Sequence, residues 1–266
     1  MKLIDTLSGE KKDFSSLNKI VTMYVCGPNL YGPCHVGHAL SFIVFDVLKR
    51  YLLHQGYEVN HVQNFTDIED RIIETSNSES RSIKEISEYH IDRFLDEMDA
   101  LRVMRANAYP KATDYINEMI NMISTLIEKE IAYQIDGDVY YRVAKFKNYG
   151  NLSRRSLDEM ESGTRIEVDE RKENPSDFAL WKSSKSGEPA WPSPWGDGRP
   201  GWHIECSAMS TSLLGEQFDI HGGGHDVIFP HHENEIAQSE GYSSKSPVVG
   251  YWLHNGLLRL SEKDTE

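Results

Sequence analysis

Hydrophobic and polar positions in the first sixty residues follow strand spacing, then helix spacing, then strand spacing again. Residues 21–26 (VTMYVC) form a short run of β-branched and aromatic side chains, typical of a buried strand. Two Gly-Pro pairs follow, and apolar side chains then recur at helical intervals from Leu40 to Tyr51, up to Gly56. Residues 57–62 have the composition of another strand. This order predicts a βαβ unit and therefore an α/β fold with a parallel sheet and nucleotide-binding potential at the loop.

The middle of the chain predicts two further helices and a hairpin. Apolar side chains at helical spacing predict one helix from Ile83 to Met98 and another from Ile116 to Ile127. Asp136-Gly137-Asp138 predicts a turn between strands within residues 132–143. Residues 151–199 are polar and weakly periodic, and we interpret them as part of an insertion. We therefore expect residues 1–130 and 201–266 to form two halves of one domain, interrupted by an insertion at 131–200.

Composition narrows the class of protein. The chain has 266 residues, 39% hydrophobic and 26% charged, and no apolar run approaches the ~20 residues that span a bilayer. The N-terminus lacks the apolar segment of a secretory signal, so we expect a cytoplasmic protein without a membrane partner. Three cysteines make no disulfide framework and are candidates for free thiols, metal ligands or nucleophiles. The net charge of −14 argues against indiscriminate binding of nucleic acid, although a local patch could still meet an RNA.

The first candidate site is His35-Val36-Gly37-His38, at the predicted start of the first helix. A helix N-terminus favours anions, histidines can hydrogen-bond a triphosphate, and Gly37 lets a nucleotide approach the backbone. The alternative is that these residues only begin a helix.

The second candidate site is His231 and Glu235, which are four residues apart and therefore share one face of a helix. Cys206 and Cys26 could add the soft ligands that zinc prefers. The alternative is a charged helix that faces solvent.

A third candidate is the sequence His221-Gly222-Gly223-Gly224-His225-Asp226, which follows a predicted apolar strand at residues 218–220. Glycines allow close packing of backbone against a ligand, and an aspartate can hold ribose hydroxyls. A flexible turn is the alternative.

In order along the chain, these segments resemble the cysteinyl-tRNA synthetase family of class I aminoacyl-tRNA synthetases. The similar blocks are MYVCGP at 23–28 with HVGH at 35–38, NFTDIED at 64–70, WPSPWG at 191–196, GWHIECSAM at 201–209 and the whole of 218–240. The resemblance covers about residues 23 to 256. It implies a Rossmann-like catalytic domain with a connective insertion, acting as a monomer.

The resemblance also implies a function and its residues. One zinc ion per chain would be held by Cys26, Cys206, His231 and Glu235, and would select the cysteine thiolate over serine. ATP, with magnesium, would activate cysteine to the adenylate, which then passes to tRNA(Cys). His35 and His38 would stabilise charge on the phosphates. The residues implied in binding cysteine and ATP are Gly27, Asn29, Gly37, Thr66, Trp202, His221, Gly222, Gly223 and Asp226.

The sequence departs from the family in two respects. The family continues almost immediately into a lysine-rich KMSKS loop and an anticodon-binding region, and neither is found; residues 183–187 (SSKSG) resemble the loop only in composition. Asn29, Gly32 and Leu40 stand where the family usually has Thr, Asp and Arg. We therefore expect weak or absent aminoacylation by this chain. Two alternatives stay open: a tRNA-independent cysteine:amine ligase resembling the mycothiol-pathway ligase, and a non-catalytic relic that binds zinc or an adenylate.

Overall fold

The computed structural model describes residues 1–156, 170–185 and 187–258. Its strands are β1 (Lys2–Ile4), β2 (Lys11–Asp13), β3 (Ile20–Val25), β4 (Glu58–Gln63), β5 (Ala132–Ile135), β6 (Asp138–Tyr141), β7 (Phe178–Ser183), β8 (Gly198–Pro200), β9 (Phe218–Gly224) and β10 (Val249–Asn255). Its α-helices are α1 (Val36–His54), α2 (Asp70–Glu79), α3 (Ile83–Ala100), α4 (Ile116–Glu128), α5 (Trp202–Leu214) and α6 (Glu233–Ser243). No helix among these residues is both long and apolar enough to cross a membrane.

A four-stranded parallel sheet forms the centre of the molecule, in the order β10-β9-β3-β4. Helix α1 connects β3 to β4, which confirms the predicted βαβ unit and the α/β class. The helix begins four residues before the apolar pattern does, because polar side chains cap it. His35 accepts hydrogen bonds from the backbone N–H groups of Gly37 and His38, and the His38 side chain accepts from the N–H of His35.

The two faces of the parallel sheet pack against different layers. Met23 and Val25 contact Phe45 and Leu52 of α1 on one face. Tyr24 lies on the other face, in the larger core that also contains the apolar residues of α4, α5 and α6. Successive side chains of a strand point to opposite faces, so β3 serves both cores. Both cores hold the carboxyl end of β3 in place.

The insertion is a four-stranded antiparallel sheet in the order β5-β6-β7-β8. Its first two strands are the predicted hairpin, and Asp136 and Gly137 have the positive φ values, 50° and 86°, that a tight turn requires. The pattern missed β7 and β8, which lie in the polar stretch, because only Leu180 and Trp181 of β7 are fully buried. The predicted boundaries at 131 and 200 stay predictions; residues 157–169, 186 and 259–266 lie outside the described residues.

Two local features differ from the expectation. Helix α2 was not predicted, because only Ile72 and Ile73 of its ten residues are buried. Strand β9 continues through the three glycines to Gly224 and pairs there with β10, so the glycines are not a flexible turn. A Cβ on Gly222 would lie 2.2 Å from the ring of Phe45, so glycine allows α1 to pack closely on β9.

Candidate active site and metal centre

A cavity of about 410 Å³ opens at the carboxyl edge of the parallel strands. It lies between the end of β3, the start of α1 and the start of α5, the place where open α/β sheets usually bind ligands. The predicted site residues that line it are Cys26, Gly27, Asn29, His35, Gly37, His38, Thr66, Trp202, Cys206, Asp226 and His231. The cavity wall also contains residues that were not among the predicted ligand-binding residues, namely Pro28, Tyr31, Ser41, Phe42, Asn64, Gly224, Val227 and residues 255–258.

Three of the four predicted metal ligands, Cys26, His231 and Glu235, cluster beside this cavity, and the fourth, Cys206, lies next to Cys26. Cys26 Sγ lies 3.8 Å from Cys206 Sγ and 3.7 Å from Glu235 Oε1. His231 Nε2 lies 3.1 Å from the same carboxylate oxygen. Cys26 is 180 residues from Cys206 along the chain, and the packing of α5 against β3 brings the two together. Two thiols, an imidazole and a carboxylate are a donor set that fits zinc.

His232, which is not among the predicted ligands, also belongs to this cluster. Its Nε2 lies 3.1 Å from Cys26 Sγ, and the potential ligand atoms of Cys26, His231, His232 and Glu235 all lie within 4.8 Å of one another. The other ring nitrogen of His232 lies 2.7 Å from Nε2 of His254. The adjacent His-His pair in the sequence was the available signal. The proximity of His232 to Cys26 depends on the turn Ile228–His232, which helical spacing does not predict.

Neighbouring histidines orient two of the predicted ligands. His203 Nδ1 lies 2.9 Å from Nδ1 of His231, which leaves Nε2 of His231 to face Glu235. His221 Nε2 lies 2.8 Å from Oε2 of Glu235, which leaves Oε1 to face the thiols. Hydrogen bonds of this kind fix the tautomer and the direction of a metal ligand. His221 therefore lies behind the cavity wall and acts through Glu235.

Burial sets the protonation of the cluster. Burial lowers the pKa of His231 and His232 well below the ordinary value for histidine, so both rings are neutral and keep a lone pair. Burial, followed by Cys206 and Glu235, raises the pKa of the Cys26 thiol. A bound metal ion would displace that proton, because the thiolate is the form that coordinates.

The opposite end of the cavity is the N-terminus of α1. The rings of His35 and His38 stack with centroids 3.8 Å apart. Burial, and then the proximity of His35, lowers the pKa of His38, while Asp226 opposes the shift. A helix N-terminus with imidazoles beside it is suited to a phosphate chain.

Gly27 and Trp202 shape the space between the two ends. The Gly27 N–H donates to Oδ1 of Asn64 at 2.9 Å, and a Cβ at Gly27 would lie 1.6 Å from the carbonyl oxygen of Asn64. The indole of Trp202 stacks on His231, with centroids 4.2 Å apart, and is 36% exposed. Asn29 pairs with Thr66 through a backbone bridge at the cavity wall.

Two predicted nucleotide-binding glycines lie away from the cavity wall. Gly222 faces Phe45 and accepts the N–H of Cys26 with its carbonyl oxygen at 3.0 Å, and Gly223 faces Val227 and His232. Gly224 and Asp226 reach the wall instead. The predicted contact of Gly222 and Gly223 with adenosine stays a prediction.

Comparison with known proteins agrees with this geometry. Residues 14–265 match the family model described as "tRNA synthetases class I (C) catalytic domain". The cysteine--tRNA ligase of Dehalococcoides mccartyi is 56% identical over 264 residues, covering 99% of this chain and 58% of that protein. The cysteine--tRNA ligase of Methanococcus maripaludis is 55% identical over 262 residues, covering 98% of this chain and 55% of that protein.

Solved structures support the fold alone. Mycobacterium tuberculosis methionyl-tRNA synthetase in complex with methionyl-adenylate has a TM-score of 0.66 and 13% identity, over 90% of this chain and 57% of that chain. This chain spans little more than half the length of the relatives that it matches. On the family model and the sequence identity together, the chain belongs to the cysteinyl-tRNA synthetase family, as a class I catalytic domain with a Rossmann-like sheet and an antiparallel insertion.

Proposed function

We propose that this chain activates cysteine with ATP to cysteinyl-adenylate for transfer to tRNA(Cys), and that it recognises the cysteine thiolate through zinc. The observation that carries the proposal is the meeting of Cys26, Cys206, His231 and Glu235 beside a cavity that the start of α1 also lines. One zinc ion held by these side chains would supply a soft open position for a thiolate. Serine has a hard hydroxyl and fits such a position poorly.

The cavity residues near this cluster would hold the rest of the amino acid. Trp202 covers His231 and lies at the rim, so it can close over a bound cysteine. Thr66 and the backbone at Gly27 line the wall between the thiols and the start of α1. Because Gly27 has no side chain, its backbone packs closely against Asn64, which holds this part of the wall in place. These contacts would direct the cysteine carboxylate towards the nucleotide.

The start of α1 would hold the triphosphate of ATP, with magnesium. The cysteine carboxylate attacks the α-phosphorus, the bond to the bridging oxygen breaks, and pyrophosphate leaves with the electron pair. His35 and His38 would stabilise the charge that develops on the phosphate oxygens, a contribution that is usually large in catalysis. Asp226 lies at the wall on the same side and would bind the adenosine, together with Gly222 and Gly223.

The test combines zinc content with cysteine-dependent exchange of pyrophosphate into ATP, with serine in parallel. Cys206→Ala removes a proposed ligand, and Cys34→Ala is the matched control, because Cys34 packs in a separate core with Ile72 and Phe94. We expect about one zinc per chain and exchange with cysteine only, both lost in Cys206→Ala and kept in Cys34→Ala. A chain that binds no zinc contradicts the proposal. Zinc without exchange favours a binding function, and a second assay with tRNA(Cys) against small amines identifies the acceptor.

A further inference from the structure

Tyr31 and Arg71 form an exposed pair at the rim of the cavity. The Arg71 guanidinium donates a hydrogen bond from Nη1 to the hydroxyl of Tyr31 at 2.8 Å, and its carbon lies 4.9 Å from the centroid of the same ring. Tyr31 belongs to the cavity wall, and both side chains are exposed. Two contacts with one ring hold a long cationic side chain in a fixed direction, and a planar guanidinium is suited to a phosphate group. The proposed activation of cysteine does not use this pair.

The guanidinium of Arg71 has donors left for a ligand. Its other N–H groups make no hydrogen bond to a described residue. Asp70, the neighbouring carboxylate in the first turn of α2, already pairs with Lys182 at 3.2 Å and with Arg199. No lysine or arginine of the described residues lines the cavity itself. Arg71 is therefore a cation beside the cavity that makes no ion pair within the described part of the chain.

The pair lies on the side of the cavity that the proposed nucleotide does not use. The sheet order is β10-β9-β3-β4, and the loops after β3 and β4 run together, because the N–H of Leu30 donates to the carbonyl oxygen of Thr66 at 3.3 Å. Tyr31 belongs to the first loop, and Arg71 lies in the first turn of the helix after the second loop. Asp226 and the end of β10 form the opposite wall. With ATP along that wall, an acceptor reaches the carboxyl carbon of cysteine from the side of β3 and β4.

We infer that Arg71, held by Tyr31, binds a backbone phosphate in the single-stranded 3′ end of the acceptor RNA and guides that end into the cavity. This inference rests on the proposed transfer of cysteine to tRNA(Cys). A net charge of −14 repels RNA from most of the surface, so a few localised cations decide where an RNA end can approach. Phosphate contacts position a nucleic acid without reading its sequence. Arg71 therefore orients the RNA end and does not select it.

The experiment measures how the whole chain binds two RNA hairpins, one that carries the single-stranded 3′ end of tRNA(Cys) and one that lacks it. Arg81→Gln is the matched control, because Arg81 also lies over a tyrosine ring, that of Tyr89 at 5.6 Å, but outside the cavity wall. We expect Arg71→Gln to bind the hairpin with the single-stranded end about 10-fold more weakly. The slope of log affinity against log salt concentration should become shallower by about 0.7. Arg71→Lys should keep the slope, because it keeps the charge, and Arg81→Gln should match the unmodified chain.

Equal affinity and an equal salt slope for Arg71→Gln and the unmodified chain would overturn the inference, and so would weakening of both hairpins by the same factor. If Arg71→Gln weakens the binding of ATP as much as that of RNA, Arg71 serves the nucleotide phosphates and the inference is wrong. An unmodified chain that binds neither hairpin also refutes it. Zinc content and cysteine-dependent pyrophosphate exchange, measured on the same preparation, distinguish this result from a failure of the proposed cysteine activation, because neither measurement needs RNA.

Discussion

Replacing Gly27 by alanine should damage the metal centre and the substrate cavity together. The added Cβ would lie 1.6 Å from the carbonyl oxygen of Asn64 and 2.8 Å from its carbon. Real Cβ atoms essentially never approach another heavy atom within 3.0 Å, so the two backbones must separate by more than 1 Å. Both belong to the parallel sheet region, where Gly27 directly follows Cys26. The displacement therefore moves a proposed ligand and breaks the hydrogen bond from Gly27 to Asn64.

The expected magnitude follows from this displacement. Overpacking of a well-packed interior costs about 1–3 kcal/mol of unfolding free energy, and a misplacement of about 1 Å at a reacting group can lower activity about 100-fold. We expect Gly27→Ala to lower the free energy of unfolding by about 2 kcal/mol and cysteine-dependent exchange by about 100-fold.

Zinc titration, urea unfolding and pyrophosphate exchange check these values, with Gly32→Ala as the matched control. A Cβ at Gly32 meets no atom within 4 Å, so this variant should behave like the unmodified chain. If Gly27→Ala keeps pyrophosphate exchange and zinc affinity within about threefold of the unmodified chain, the steric reasoning is refuted.

Three further predictions concern stability. Burial, and then the positive charge of Lys49, lowers the pKa of His61 to about 3 in the folded chain. In the unfolded chain His61 takes up a proton near pH 6.5, where the folded chain does not. The free energy of unfolding therefore falls as the pH drops below 6.5. The loss of unfolding free energy between pH 7.5 and 5.5, measured in urea, should be about 1.4 kcal/mol smaller in His61→Phe, and an equal loss would contradict this. Asp219 is buried and accepts hydrogen bonds from the backbone N–H groups of Leu17 and Thr22. Asp219→Ala should therefore lower the free energy of unfolding, measured in urea, by about 3 kcal/mol. Asp13→Ala, in the exposed strand β2, should leave the free energy of unfolding nearly unchanged. Zinc at about 100 times its dissociation constant should raise the free energy of unfolding by about 2.7 kcal/mol, an effect that a chelator and Cys206→Ala should both abolish.

The order of elements was accessible from the sequence because local patterns determine it. The strand ending near Cys26 and the helices beginning at Ile83 and Ile116 follow from periodicity, and the structure confirms them. Helix α2 and strands β7 and β8 were missed because few of their side chains are buried, so tertiary contacts rather than amphipathic spacing stabilise them. The extension of β9 through Gly222 was missed for a related reason: glycine disfavours an isolated strand, but here it allows Phe45 to pack against the sheet.

The candidate site was likewise predictable in part from the sequence and in part only from the structure. The sequence alone determined the chemical types available, since three cysteines and a His-His pair limit the choice of soft ligands, and the family blocks indicated which of them to group. Only the tertiary structure decided that His232 lies beside Cys26 and that His221 contacts Glu235 rather than the cavity. Spacing along a chain constrains neighbours three or four residues apart. The distance between Cys26 and Cys206 depends instead on the pairing of β3 with β9 and on the packing of α5 against their common face, which are contacts between residues far apart in the sequence.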